Sequence, residues 1–211
     1  MTASPLGGDL RYREWRGRWQ DRTVFVLASG PSLTPEDVAS VRTYAEANDC
    51  PVVVTNTTYR LAPWASLLFF YDRQWWRVHE QEVLETFSGD LVTMADAKHP
   101  RVLSLAGTHF NAYKNSGGGA INFAVHAGAK RIVLLGLDGQ YAPDGRRHWH
   151  TQDPRLGNAG ALPRFIRQFP SLAASAASQK VEVLNASRET GLTCFRRVAL
   201  ESIISPVPSE D

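Results

Sequence analysis

The chain has 211 residues, 43% hydrophobic and 21% charged, with 23 Lys and Arg against 21 Asp and Glu for a formal charge of +2. These proportions suit a globular chain able to bury one sizeable core, and they exclude a disordered or fibrous protein. The net charge is too small to argue for nucleic-acid binding, although Arg11, Arg13, Arg16, Arg18 and Arg22 gather positive charge near the start, where a solvated face is the simplest use.

Cys50 and Cys194 are the two cysteines; they have neither a nearby partner nor zinc-site spacing, and are expected as buried thiols. The opening MTASPLGGDL lacks a basic start followed by an apolar run, and no stretch approaches the roughly 20 apolar residues that span a bilayer. The expected location is therefore the cytoplasm. The expected organisation is one α/β domain over residues 9–205, with 1–8 and 206–211 as flexible tails.

Thr23 to Ala28 reads as the first strand. After the turn Ser29-Gly30-Pro31-Ser32, Thr34 caps a helix with Asp37 three residues on, and Val38, Val41 and Ala45 follow at helical spacing up to Asn48-Asp49. Val52 to Thr55 is a β-branched second strand, and Ser66 to Tyr71 a third, too continuously apolar to have one face in water. From Arg73, a helix is marked by Trp76, Val83, Leu84 and Phe87, and short strands follow at Leu91 to Met94 and Val102 to Leu105. Ser116 to Gly119 opens a helix with the stripe Ile121, Ala124, Val125 and Gly128, which leads into a buried strand from Arg131 to Leu135. Leu162, Phe165, Ile166, Phe169, Leu172 and Ala176 keep the helical period, with Pro170 bending or restarting the helix. Val181 to Leu184 is the last strand, and a short helix lies near Val198 to Ile204.

This alternation predicts a Rossmann-like α/β fold, a mostly parallel sheet with helices on both faces and ligands beyond the carboxyl ends of its strands. Polar or Gly-rich residues follow the strands at that edge: Ser29-Gly30-Pro31-Ser32, Asn56-Thr57-Thr58, Asp72 and Asp138-Gly139. Gly30 allows close approach of backbone to ligand, the amides at the next helix start favour an anion, and Ser29 and Ser32 add hydroxyls. Gly-Pro turns also occur in loops that bind nothing. Neither G-x-G-x-x-G nor G-x-x-x-x-G-K-[ST] is present, so the usual dinucleotide and P-loop routes drop out.

Asn115-Ser116-Gly117-Gly118-Gly119 is a second place where a helix start presents amides and a hydroxyl to a phosphate or ribose. Ser116 and Gly117 are the candidate contacts, whereas Gly118 and Gly119 fit close packing on the sheet. Asp138 suits a ribose, a metal or a turn cap, and Tyr141 in the following loop is a further nucleotide contact. His148 and His150 lie in the polar loop Gly145-Arg146-Arg147-His148-Trp149-His150, where a histidine serves as a general base or phosphate ligand near neutral pH. H-x-H also binds metals, but a site needs further ligands, for which Asp72 and Asp138 would have to come close. Most of Trp64, Trp75, Trp76 and Trp149 are expected in the core.

Val24 to Leu33 with its G-P-S-L turn, Thr55-Asn56, Phe69 to Asp72, Asn115-Ser116-Gly117 and Ile132 to Asp138 come in an order that resembles the sialyltransferase-like superfamily. That group comprises bacterial sialyltransferases, 6-hydroxymethylpterin diphosphokinase-like proteins and similar proteins in phage genomes. The resemblance runs from about Val24 to Ile204. It implies a nucleotide held at these positions and His148 or His150 as the base that activates an acceptor hydroxyl. The chain departs from the sialyltransferases in having Asp72 where they have an Asn-Pro-Ser turn, and in its shorter lid after the G-x-D strand. The expected activity is glycosyl transfer from a nucleotide-sugar to a hydroxyl, with a modified DNA base among the candidate acceptors. The alternatives are Mg²⁺-dependent diphosphokinase chemistry, in which Asp72 would assist the metal, and non-catalytic nucleotide binding or assembly; an oligomer is compatible with each.

Overall fold

In a computed structural model of the chain, residues 11–151, 153–156 and 162–205 are described. The strands are β1 (Thr23–Leu27), β2 (Val52–Thr55), β3 (Leu67–Phe70), β4 (Asp90–Thr93), β5 (Val102–Ser104), β6 (Arg131–Leu135), β7 (Glu182–Asn185) and β8 (Arg196–Arg197). They form one sheet in the order β5-β4-β3-β2-β1-β6-β7-β8, and every neighbouring pair is parallel. The helices are α1 (Pro35–Ala47), α2 (Arg73–Thr86), α3 (Ser116–His126), α4 (Leu162–Ile166), α5 (Phe169–Ser178) and α6 (Glu201–Ile204). Expected tails 1–8 and 206–211, and part of the loop after Tyr141, lie outside the described residues. No described helix is long and apolar enough to cross a membrane.

The continuous apolar strands are explained by two cores, one on each face of the sheet. Val24, Val26, Phe69, Ile132 and Leu134 join the core that includes residues of α3 and α5, while their neighbours Phe25, Leu27, Phe70, Val133 and Leu135 join the core that includes α1 and α2. Period-two alternation therefore survives within these runs, but both sets of side chains are buried.

Local chemistry sets the helix starts. The Thr34 hydroxyl accepts from the Asp37 amide at 3.1 Å and the Asp37 carboxylate accepts from the Thr34 amide at 3.4 Å, so α1 begins with the expected capping box. Asp37 also pairs with Arg188 at 2.8 Å. The chain restarts where proline was expected to act: α4 ends at Ile166 and α5 begins at Phe169, with Pro170 in its first turn.

Residues 11–21 gave no periodic signal, yet they form a short helical and turned segment in which Trp15 and Trp19 are buried. Tyr12 stacks on His126 at 3.9 Å, the Arg18 guanidinium lies 4.1 Å over Trp15, and the Trp19 amide donates to the Ala127 carbonyl at 2.8 Å. The segment thus straps the end of α3 away from its Ser116 start, and the Arg22 carbonyl that follows it accepts from the Lys130 amide at 2.9 Å just before β6. Edge strand β8, two exposed arginines long, was also missed because it has no apolar pattern. Cys50 and Cys194 are half-buried rather than buried, and burial still pushes both thiols upward.

Gly119 brings the backbone of α3 against β3: a methyl there would sit 2.2 Å from the Phe69 ring. Gly119→Ala is expected to cost about 2 kcal/mol or more, read from urea unfolding, because both neighbours are packed elements with no room to shift. An unchanged midpoint would mean that the helix does not lie this close.

Candidate active site

The sheet order reverses between β1 and β6. The chain runs from β1 outward to β5, crosses back to β6 and continues to β8, so the connections leaving β1 and β6 diverge and open a crevice at their carboxyl ends. A cavity of about 490 Å³ lies there. Ser29 and Gly30 reach it after β1, Asn56 after β2, Asp72 after β3, and Asp138 and Tyr141 after β6; Ser116, Gly117 and His148 complete the convergence. Of the expected site residues, Pro31, Ser32 and His150 do not line it.

The turns after β1 and β6 are locked to each other. Ser32 donates its amide to Asp138 Oδ2 at 2.8 Å and its hydroxyl to Asp138 Oδ1 at 2.6 Å, and the Gly30 amide donates to the Gly136 carbonyl at 2.8 Å. A methyl on Gly30 would lie 2.4 Å from that carbonyl and 2.5 Å from Asp138 Cγ, so this position has to be glycine. The lock takes up most of the amides that the first turn was expected to offer an anion. Those of Gly30, Ser32 and Leu33 are all taken by protein acceptors, Pro31 has none, and at the start of α1 the amides of Thr34 and Asp37 are taken by the capping box. Asp138 is likewise a joint between turns, with both oxygens engaged. Burial pushes its carboxyl above the usual range, against the pull of the two Ser32 bonds.

The helix start that does face the cavity is that of α3. Asn115 caps it by accepting from the Gly118 amide at 2.7 Å, while the amides of Ser116 and Gly117, in the first turn, have no acceptor within the helix. The Ser116 hydroxyl accepts from the Tyr71 amide at 3.0 Å and donates to Asn56 Oδ1 at 2.9 Å, tying the ends of β2 and β3 to α3. Asn56 holds a left-handed backbone, φ 47°, and with its oxygen engaged it keeps its amide donors. Gly117 is close-packed too: a methyl there would lie 2.7 Å from Leu137.

His148 is held by the first turn. Its Nδ1 lies 3.2 Å from the Ser29 carbonyl, which can only accept, so Nδ1 carries the proton and Nε2 the lone pair. The next residue fixes the loop: the Trp149 amide donates to the same carbonyl at 3.3 Å and its indole donates to Thr58 Oγ1 at 3.3 Å. Ser29 Oγ donates to the Thr55 carbonyl at 3.2 Å, so the 2.8 Å contact between the hydroxyls has Thr58 as donor. A directed chain thus runs from Trp149 through Thr58 and Ser29 to the backbone of β2. His150 stacks parallel to His148 at 5.2 Å, with its Nδ1–H donating to the Thr151 carbonyl at 3.0 Å. It touches His148 rather than the cavity. Burial pushes both imidazoles downward, and for His148 the neighbouring His150 adds to the effect.

Sequence reasoning missed most of the rim. Arg73, Lys114, Arg147 and Arg164 line the cavity and are exposed, and three of them adjoin residues already picked out: Asp72, Asn115 and His148. Adjacency to a strand-end or cap motif was the available signal. Tyr113 and Lys114 take left-handed backbone, φ 51° and 59°, immediately before the α3 cap. Tyr71 and Tyr141, 38% and 39% exposed, are the exposed large hydrophobics among the described residues, and both line the crevice. The amino-terminal arginines, by contrast, lie at the other rim of the sheet.

The crevice offers no all-protein cage for Mg²⁺, an ion that ordinarily takes one or two carboxylates and completes its shell with a ligand's phosphates and water. Among the described residues no three His, Cys, Asp or Glu side chains converge. Both Asp138 oxygens accept from Ser32, and Asp72 caps α2 by accepting from the Gln74 amide at 2.7 Å.

Fold and crevice define the chain as a parallel α/β protein with a ligand-sized cleft at its switch point. No family model matches it, and no curated protein matches it in sequence.

Ser32→Ala removes one of two donors to a buried carboxylate, at a cost of about 2 kcal/mol at neutral pH. Because Asp138 titrates above the ordinary aspartate value of about 3.9, it is protonated in the fold at low pH, and stability falls as pH rises through its raised value. The variant lifts that value further. Urea unfolding should therefore show a larger deficit at pH 7 than at pH 4, and equal deficits would separate the hydroxyl from the carboxylate.

Proposed function

We propose that the chain is a transferase that binds a nucleotide-linked donor in this crevice and passes its sugar to an acceptor hydroxyl, with His148 as general base. The observation that carries the reading is His148 itself: a cavity-lining imidazole whose Nδ1–H is tied to the Ser29 carbonyl, which leaves Nε2 to take a proton. In the step, the acceptor oxygen forms a bond to the anomeric carbon while the bond from that carbon to the phosphate oxygen breaks. His148 Nε2 takes the hydroxyl proton. The departing phosphate carries the electron pair, and the first amides of α3 and the cationic rim offset its charge.

Tyr71 and Tyr141 supply exposed faces for a base or a sugar, and Asn56 supplies amide donors. Asp72 is kept as a rim carboxylate for an acceptor hydroxyl. His150 acts through His148, as a positioning residue. The diphosphokinase alternative needs Mg²⁺ held by a donor's phosphates and one or two carboxylates, for which Asp72 is the rim candidate, and metal dependence separates it from glycosyl transfer.

Donors linked to CMP, UDP and GDP are to be incubated with the chain, water serving as the simplest acceptor, and nucleotide release followed. Release from one class is the expected result. Strictly Mg²⁺-dependent release of AMP from ATP, or no turnover with any of these donors, would overturn glycosyl transfer. His148→Ala should lower kcat by about 10² to 10⁴ with donor affinity kept.

The pH profile carries a sign. The base works when neutral, and burial lowers its proton affinity, so activity should persist at neutral pH and fall as pH drops through a value below the ordinary imidazole figure of about 6.5. An acid limb above that figure would point to another base.

A further inference from the structure

Arg73, Lys114, Arg147 and Arg164 reach one cavity from four separate segments: the first residue of α2, the residue before the Asn115 cap, the histidine loop and α4. Several arginines elsewhere lie against carboxylates, as Arg60 does with Glu82, Arg131 with Glu182 and Arg188 with Asp37. None of the ion pairs between described residues includes the four at the crevice. Only two carboxylates, Asp138 held by Ser32 and Asp72 capping α2, line the cavity with them, so the lining carries two more cations than carboxylates. Like charges gathered round one cavity repel each other until an anion enters.

The shape of that anion follows from the arrangement. One phosphate is satisfied by one or two cations and a helix start. A diphosphate offers non-bridging oxygens on two adjacent phosphorus atoms, enough to accept from several of these side chains as well as from the Ser116 and Gly117 amides. The positive charge that a divalent metal often brings to such a group is here carried by side chains.

We infer that the crevice recognises its ligand through a diphosphate group, neutralised by Arg73, Lys114, Arg147 and Arg164 without a divalent cation. The inference deepens the proposed function, and rests on it in naming a nucleotide as the carrier of the diphosphate.

The test is calorimetric titration of the full chain in EDTA with phosphate, pyrophosphate, and the mono- and diphosphates of cytidine, uridine, guanosine and adenosine, repeated with Mg²⁺ in place of EDTA. Diphosphates are expected to bind at least about ten-fold tighter than the matching monophosphates, with no gain from Mg²⁺. Lys114→Gln and Arg147→Gln should each weaken diphosphate binding about ten-fold and monophosphate binding less, while Arg16→Gln at the other rim changes neither. Equal affinity for mono- and diphosphates, or diphosphate binding that appears only with Mg²⁺, overturns the inference and leaves a nucleotide site standing. Selective binding of pyrophosphate with no nucleotide bound keeps the inference and sinks the nucleotide reading. Binding of none of the probes overturns both.

Discussion

Ser32 and Asp138 hold the crevice in shape. Two diverging connections leave adjacent parallel strands, and nothing in sheet geometry alone fixes how far apart they stand. Two charge-assisted bonds from one serine to one buried carboxylate, over a glycine that leaves no space for a methyl, set that distance. The carboxylate's burial is unfavourable by itself, and the serine donors are what make it tolerable. Every other feature of the site is measured from this joint, since Ser29 precedes it on one strand and the histidine loop follows it on the other.

From Ser29 the order propagates outward. Its carbonyl holds the His148 ring and the Trp149 amide, while its hydroxyl continues a chain of donors that ends in the backbone of β2. Trp149 packs against the core beside α1 and α2 as well as donating to Thr58, so a polar loop is pinned by an apolar anchor. This arrangement fixes the imidazole tautomer from the scaffold side and leaves Nε2 unclaimed by that scaffold.

Much of the fold was legible because its signals are local. Thr34 and Asp37, Pro170, and the apolar runs at Val24 to Leu27 and Ile132 to Leu135 act within a few residues of themselves, and the sheet is built where they indicate. The convergence of Gly30, Asn56, Ser116 and His148 was legible too, because parallel strands send all their carboxyl ends to one rim. What could not be read is pairing across the sheet. Ser32 looked like a donor for an anion until its acceptor, 106 residues on, came beside it. Trp15 and Trp19 bury themselves through turns without a period, and the rim cations are recognisable as a group only once four distant segments meet.

Tyr113 and Lys114 show what the rim asks of the chain. Two successive non-glycine residues in left-handed backbone cost on the order of 1 kcal/mol each, and they stand where the loop must swing to deliver a cation before the α3 cap. A glycine at 114 would relax the backbone and delete the charge in one change. Backbone ease and rim charge therefore pull this position in opposite directions, and a drift toward sturdier variants would pass through a crevice of the same shape with one cation fewer.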